Sequence, residues 1–184
     1  MRTFFLLLTM TLAACSSPTT KDEPVSRHAV PLRVATYNTS LFSDDAGGLI
    51  RQLEGDSAHA RKIAAVLQKV RPDLVLLNEF DYDDAHRAAD LFQQRYLDIA
   101  QVGGGEPLRY DYRYLAPVNT GVPSGLDLDR NGSVGTSGRE RGNDAWGYGL
   151  HPGQYGMLVL SRFPIDEAQL LPNGLGIELS LIHI

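Results

Sequence analysis

The chain has almost no cysteine: Cys15 is the only one among its 184 residues. A single cysteine excludes a fold that depends on internal disulfides, and an unpaired cysteine in an exported protein needs a reason of its own. The sequence also lacks a run of five or more basic residues, and its formal net charge is −5. These absences argue against tight non-specific binding of nucleic acid through a broad basic face, although a bound metal could still supply local positive charge.

The first fifteen residues have the pattern of an export signal. A positive Met1-Arg2 precedes an apolar run over residues 4–12, which is too short for a bilayer-spanning helix of about 20 residues. Leu12-Ala13-Ala14-Cys15 resembles the lipobox of bacterial lipoproteins, which implies lipidation of Cys15 and a membrane contact through the lipid alone. Ser16 implies the outer membrane of the bacterial cell envelope, on its periplasmic or surface side. The alternative is an ordinary secretory signal with a chance cysteine.

A polar tether and one domain are predicted to follow the signal. Residues 16–30 contain proline and show no apolar periodicity, which predicts a flexible tether. Residues 31–178 are long enough for one modest domain with a real core. The predicted strands cover residues 32–37, 73–77, 112–115 and 155–160. The predicted helices cover residues 57–70 and 83–97. This alternation indicates an α/β or a layered α+β domain.

Two polar residues follow predicted strands. Asn38 comes directly after the first strand, and Glu79 comes after the second, apolar strand, which we expect to be buried. Ligands of open α/β sheets gather beyond the carboxyl ends of the strands, and Mg²⁺ prefers oxygen ligands. A shared magnesium site at Asn38 and Glu79 is one interpretation, and a turn asparagine with a solvated glutamate is the other.

Three ordered motifs, RVATYN, RPDLVLLNEFD and YGMLVLSRFPI, resemble the N-terminal half of the endonuclease/exonuclease/phosphatase superfamily, which has the DNase I-like fold. The resemblance implies an α+β protein, a layered α/β sandwich, and hydrolysis of a phosphoester with Mg²⁺ or Mn²⁺. It implies that Glu79 is a direct metal ligand and that Asn38 supports the metal or the phosphate. Nucleic acid, phospholipid and small phosphoesters are all possible substrates, and no protein partner is evident. One departure is Asn78, where many members have glutamine.

Two later motifs of the superfamily are missing after Ile165. They are an Asp-x-Asn, which positions the nucleophile, and a final Asp-His pair. The last six residues, LSLIHI at 179–184, resemble translated sequencing-adapter read-through, and the alternative is a genuine apolar terminal strand. We therefore expect a truncated, N-terminal fragment that is inactive alone and ends in a non-native tail.

A Gly- and Asn-rich segment at residues 117–153, here called the insertion, is long for a loop inside a compact domain. Asp127, Asp129 and Asn131 match the opening half of a calcium loop, but the glutamate expected at its twelfth position is missing. A Ca²⁺ site and an Asx-rich turn both stay open. A non-catalytic, calcium-binding surface module is therefore the rival to the enzyme.

Four further residues of the insertion are candidates for contact with a substrate. Arg139, Arg141 and His151 could contact a phosphate, and ordinary surface charge is the alternative. Trp146 could stack on a base or a lipid, and the alternative is a half-buried aromatic residue.

Overall fold

The computed structural model describes residues 31–165; the predicted lipidation at Cys15, the tether at 16–30 and the tail at 179–184 lie outside the described residues. The strands are β1 (Val34–Leu41), β2 (Leu74–Phe80), β3 (Tyr112–Leu115) and β4 (Met157–Ser161). The α-helices are α1 (Gly48–Glu54), α2 (Ala58–Val70), α3 (Arg87–Phe92) and α4 (Gly138–Asn143), and α3 continues into a π-helical turn, Gln93–Leu97. Within residues 31–165, every helix is too short or too polar to cross a membrane.

The four strands form one mixed sheet in the order β1-β2-β4-β3. β1 and β2 run parallel, and β4 is antiparallel to both β2 and β3. The crossover from β1 to β2 contains α1 and α2, as a parallel pair requires. This architecture confirms the predicted α+β class with helices layered on a sheet.

The core lies between the helices and one face of the sheet. Val75 and Leu77 of β2 are fully buried, whereas Leu74 and Leu76, which alternate with them, are only half-buried. The strand that we expected to be buried is therefore fully buried on one face only, because side chains of a strand point alternately to the two faces. The described helices cover the face of Val75 and Leu77, and Asn38 lies on the other face as an exposed residue.

Helix α2 begins and ends where the sequence predicts. The Ser57 hydroxyl accepts the N–H of Ala60 at 3.2 Å as an N-cap, and Arg71 ends the helix in the left-handed conformation. The apolar residues of this helix do not all join the core: Val66 and Val70 are each 43% exposed. Gln68 takes the buried position instead, where its amide donates to the carbonyls of Leu97 (3.0 Å) and Ile99 (2.8 Å).

Both strands that carry the predicted site continue past their predicted ends. β1 extends to Leu41 and β2 extends to Phe80, because both of these apolar residues are fully buried. Asn38 and Glu79 therefore lie inside strands and not after them. The second predicted helix starts at Arg87 and not at Asp83, whose carboxylate accepts the N–H of Arg87 at 2.8 Å.

Candidate active site

Asn38 and Glu79 meet at one edge of the sheet. Asn38 lies opposite Asn78 in the parallel β1–β2 pair, which places Glu79 one residue further along. Ser40 joins the two predicted residues: its N–H donates to Asn38 Oδ1 at 3.1 Å, and its hydroxyl donates to Glu79 Oε2 at 3.1 Å. Ser40 was not among the predicted site residues, although it lies only two positions after the motif asparagine.

The backbone is left-handed at two facing residues of this site. The φ angle is 47° at Ser40 and 56° at Glu79, and the pairing register shifts between Asn38 and Leu41. Each such residue costs about 1 kcal/mol or more unless it is glycine. The irregularity breaks the strict alternation of strand side chains, so that Glu79 can meet Ser40 on the face of Asn38.

Buried hydrogen bonds hold the irregular backbone in place. Thr39, which is 1% exposed, donates its hydroxyl to the carbonyl of Asn78 at 2.9 Å. His59 Nε2 lies 2.7 Å from the carbonyl oxygen of Thr39, which links α2 to β1. These contacts fix β1 and β2 directly before Ser40 and Glu79, so the carboxylate is presented by a rigid element and not by a loop.

The donor set fits a hard divalent cation. Among residues 31–165, Glu79 forms no ion pair, and its carboxylate accepts only the Ser40 hydroxyl. Asn38 contributes an amide next to this carboxylate, and Asn78 Oδ1 is buried without a hydrogen-bond partner. An unpaired buried oxygen costs about 1–3 kcal/mol. Carboxylate and amide oxygens suit Mg²⁺ or Mn²⁺.

Asp81 fastens the end of β2 to two loops. Its carboxylate accepts the N–H of Ser43 at 2.8 Å and the N–H of Tyr155 at 3.1 Å. Burial raises the pKa of Asp81 to about 6, although these two hydrogen bonds act in the opposite direction. The sequence shows only an acidic stretch after Glu79 and does not distinguish the buried carboxylate from its solvated neighbours.

His151 and Gln154 close the insertion against the loop after β1. His151 Nε2 lies 3.0 Å from the carbonyl oxygen of Ser43, and its Nδ1 lies 3.1 Å from that of Pro152. Gln154, which is fully buried, donates to the same Ser43 carbonyl at 2.8 Å. A phosphate contact by His151 stays a prediction, and it would require one of these contacts to open.

The model of the Endonuclease/Exonuclease/phosphatase family matches residues 35–181. The chain belongs to this family. A solved structure, "The crystal structure of endonuclease/exonuclease/phosphatase from Beutenbergia cavernae DSM 12333", is 22% identical to the chain, with a TM-score of 0.36. The match covers 73% of this chain and 27% of that one, so this family member spans about a quarter of the length of the structure it resembles. No curated protein matches the chain.

The match of the family model confirms the predicted superfamily. Two predicted phosphate contacts of this family member lie on α4: Arg139 is exposed and Arg141 is half-buried. Neither arginine forms an ion pair within the part of the chain that the structure describes. Their role in binding phosphate stays a prediction.

The predicted calcium loop contributes to an acidic cluster. Carboxylate oxygens of Asp127, Asp129 and Asp144 lie within 4.8 Å of one another, an arrangement that could hold a metal ion. Asp144 was not predicted. Its carboxylate accepts the N–H groups of Gly135 and Leu128, each at 2.7 Å, and the bond from Gly135 is the main cause of its lowered pKa. Asn131 stays in the turn, donating its N–H to Asp127 at 3.1 Å.

Proposed function

We propose that the protein is a phosphoester hydrolase that depends on Mg²⁺ or Mn²⁺, with Glu79 as the metal-binding carboxylate. The observation that carries this proposal is the meeting of Asn38, Ser40 and Glu79 in one oxygen-rich cluster on β1 and β2. Membership of the endonuclease/exonuclease/phosphatase family supports it.

Each residue of the cluster would have a different role in this reaction. Glu79 would hold the ion, which when bound offsets the negative charge that develops on the phosphoryl oxygens. Asn38 Oδ1 already accepts the N–H of Ser40, so the side chain has its two amide N–H groups to offer. This favours a phosphate contact over metal coordination for Asn38. Ser40 orients Glu79 through its hydroxyl and is a positioning residue.

We also propose that the protein works in the bacterial cell envelope. The support is the sequence alone: the Leu-Ala-Ala-Cys pattern at residues 12–15 and the polar stretch that follows it. A lipid on Cys15 would hold the domain beside a membrane without inserting it. Radiolabelled palmitate should be incorporated into the wild-type protein in a bacterial host and not into the Cys15→Ala variant. Equal labelling of both would contradict this location.

Replacement of Glu79 tests the enzymatic proposal. In the product of the complete gene, Glu79→Gln should lower kcat/KM for bis(p-nitrophenyl) phosphate or p-nitrophenyl phosphate at least about 100-fold, because the ion loses its charged ligand. The matched control is Glu106→Gln, the same change at an exposed glutamate, which should leave the rate unchanged. Chelation by EDTA should stop the wild-type reaction, and added Mg²⁺ or Mn²⁺ should restore it. A wild-type rate in Glu79→Gln would rule the assignment out.

A second candidate is a non-catalytic surface module that binds Ca²⁺. The acidic cluster of Asp127, Asp129 and Asp144 favours it. Calorimetry distinguishes the two functions: calcium binding that is lost in Asp129→Ala, together with no hydrolysis by the complete gene product, would favour the module. Hydrolysis that depends on Glu79 would favour the enzyme, whether or not the cluster binds calcium.

A further inference from the structure

Three aromatic side chains form a row next to the cluster of Asn38, Ser40 and Glu79. The ring centroids of Phe42 and Tyr155 are 4.6 Å apart at an angle of 59°, and those of Tyr155 and Tyr148 are 6.4 Å apart at 25°. We call Phe42, Tyr155 and Tyr148 the aromatic row. Its first member follows Ser40 by two positions, so the row begins where the candidate active site ends.

The middle ring is joined to the strand end that carries Glu79. The N–H of Tyr155 donates to Asp81, two positions after Glu79 in the chain, at 3.1 Å. The next residue, Gly156, accepts the N–H of Phe80 at 3.0 Å, which ties the row to the strand that carries Glu79. The aromatic row is therefore fixed to the same end of β2 as Glu79.

The rings are held in place before any ligand binds. Tyr155 adopts a left-handed backbone with φ 57°, and its N–H donates to Asp81 at 3.1 Å. Tyr148 packs closely on α4, because a Cβ added to Gly142 would lie only 2.9 Å from Tyr148 Cε2. Fixed rings lose little conformational entropy on binding, so stacking on them is favourable.

The outer end of the row is exposed to solvent. Tyr148 is 45% exposed, and Trp146, two positions earlier in the chain, is 59% exposed. Aromatic rings that pack in the core are buried, as Phe80 and Phe92 are in this protein. Neighbouring exposed aromatic residues beside a candidate site mark a contact surface for a ligand.

We infer that the aromatic row is a subsite for a planar ring in the organic group of the phosphoester substrate, as in a nucleotide. Aromatic side chains stack on such rings through their π faces, whereas a glycerol or another aliphatic group offers no such face. The net charge of −5 and the lack of basic runs favour a nucleotide or a short strand over a long duplex. As a statement about substrate, this inference rests on the proposed hydrolase function.

Ring binding can be measured without catalysis. Trp146 is the only tryptophan of the chain, so its fluorescence reports on this region alone. We expect adenosine to quench it saturably in EDTA. Tyr148→Ala should weaken adenosine binding about tenfold, which equals about 1.4 kcal/mol and lies in the range for stacking on an aromatic side chain. Tyr148→Phe should bind within about twofold of the wild type, because the ring remains.

The control is Tyr112→Ala, which removes a tyrosine that is 41% exposed on β3 and should leave adenosine binding unchanged. Calorimetry with the same variants supplies a readout independent of Trp146. No saturable binding by the wild type, or equal binding by Tyr148→Ala, would overturn the ring subsite.

The kinetic experiment separates this inference from the proposed function. In Tyr148→Ala, KM for a nucleotide phosphoester should rise about tenfold with kcat nearly unchanged, while KM for glycerol 3-phosphate should stay constant. A KM for the nucleotide phosphoester that is the same in the wild type and in Tyr148→Ala would overturn the inference. The loss of activity in Glu79→Gln would still support the proposed function. Hydrolysis that survives Glu79→Gln would overturn the proposed function and the substrate assignment. Adenosine binding would still test the ring subsite in that case.

Discussion

The Ser40 hydroxyl donates to Glu79 Oε2 at 3.1 Å, between two residues whose backbones are both left-handed. Neither conformation is favourable for a residue with a side chain. The pair persists because Thr39 is buried and bonded to Asn78 of β2, which fixes both strands directly before the pair. Backbone strain at such a position is typical of a site where side-chain orientation matters more than local stability.

Removal of the Ser40 hydroxyl should weaken metal binding without destroying it. In Ser40→Ala, Glu79 keeps its charge but loses the hydrogen bond that orients it. We expect the concentration of Mg²⁺ or Mn²⁺ at half-maximal activity to rise about tenfold, the usual size of such an effect in residues that support a metal ligand. At saturating metal, kcat should stay within a few-fold of the wild type. The measurement is the metal dependence of hydrolysis by the complete gene product.

Ser40→Gly separates the hydroxyl from the backbone. Both variants lack the hydroxyl and should show the same metal shift, but glycine adopts φ 47° without strain. The glycine variant should therefore be at least as stable as the alanine variant in urea unfolding. An unchanged metal dependence in both variants would show that Ser40 does not position Glu79.

Asp144 should control the order of the acidic loop. Its carboxylate accepts N–H groups from Leu128 and Gly135, so Asp144→Ala removes the bonds that close residues 128–135. Arg130 in this segment is exposed and has φ 60°. Trypsin should cleave after Arg130 at least about tenfold faster in the variant, because local opening limits cleavage of a folded protein. Asp111→Ala, which removes an exposed carboxylate, is the control.

Calcium adds a second readout to the same assay. If the cluster of Asp127, Asp129 and Asp144 binds Ca²⁺, the ion should slow cleavage after Arg130 in the wild type and not in Asp144→Ala. Cleavage that is equally fast in Ca²⁺ and in EDTA would remove the support for the calcium-binding module.

Local signals predicted the parts of the fold that depend on neighbours in the chain. The apolar spacing and the proline after it located α2 within one residue, and the motif order located the two strands of the site. The same signals brought Asn38 and Glu79 to one sheet edge, because consecutive parallel strands end on the same side. The short helices α1 and α4 were missed because neither has an apolar stripe long enough to stand out.

The unpredicted parts of the site depend on pairs distant in sequence. Ser40 meets Glu79 across 39 positions, and Asp144 meets Leu128 across 16. No local pattern contains these pairs. Tyr155 is likewise left-handed and bonded to the distant Asp81, and β4 starts after it, at Met157 and not at residue 155. Tertiary contacts therefore decided which of several similar polar residues became part of the site.

The raised pKa of Asp81 predicts a loss of stability as the pH rises. Burial raises this pKa from 3.8 to about 6 in the folded protein. Between these values the unfolded chain releases the proton while the folded chain keeps it, so the unfolded state binds fewer protons and the free energy of unfolding falls with increasing pH. At about 1.4 kcal/mol per unit, the loss amounts to about 3 kcal/mol by pH 6 and stays constant above it.

Asp81→Asn isolates this contribution, because asparagine does not titrate. The variant loses one acceptor for the N–H groups of Ser43 and Tyr155, which lowers its stability at every pH. Urea unfolding in EDTA from pH 4 to pH 7 should therefore show the wild-type advantage shrinking as the pH rises from about 4 to about 6. If the free energies of unfolding of the two proteins changed in parallel with pH, Asp81 would ionise normally in the folded state. Its burial would then not disfavour the charged carboxylate.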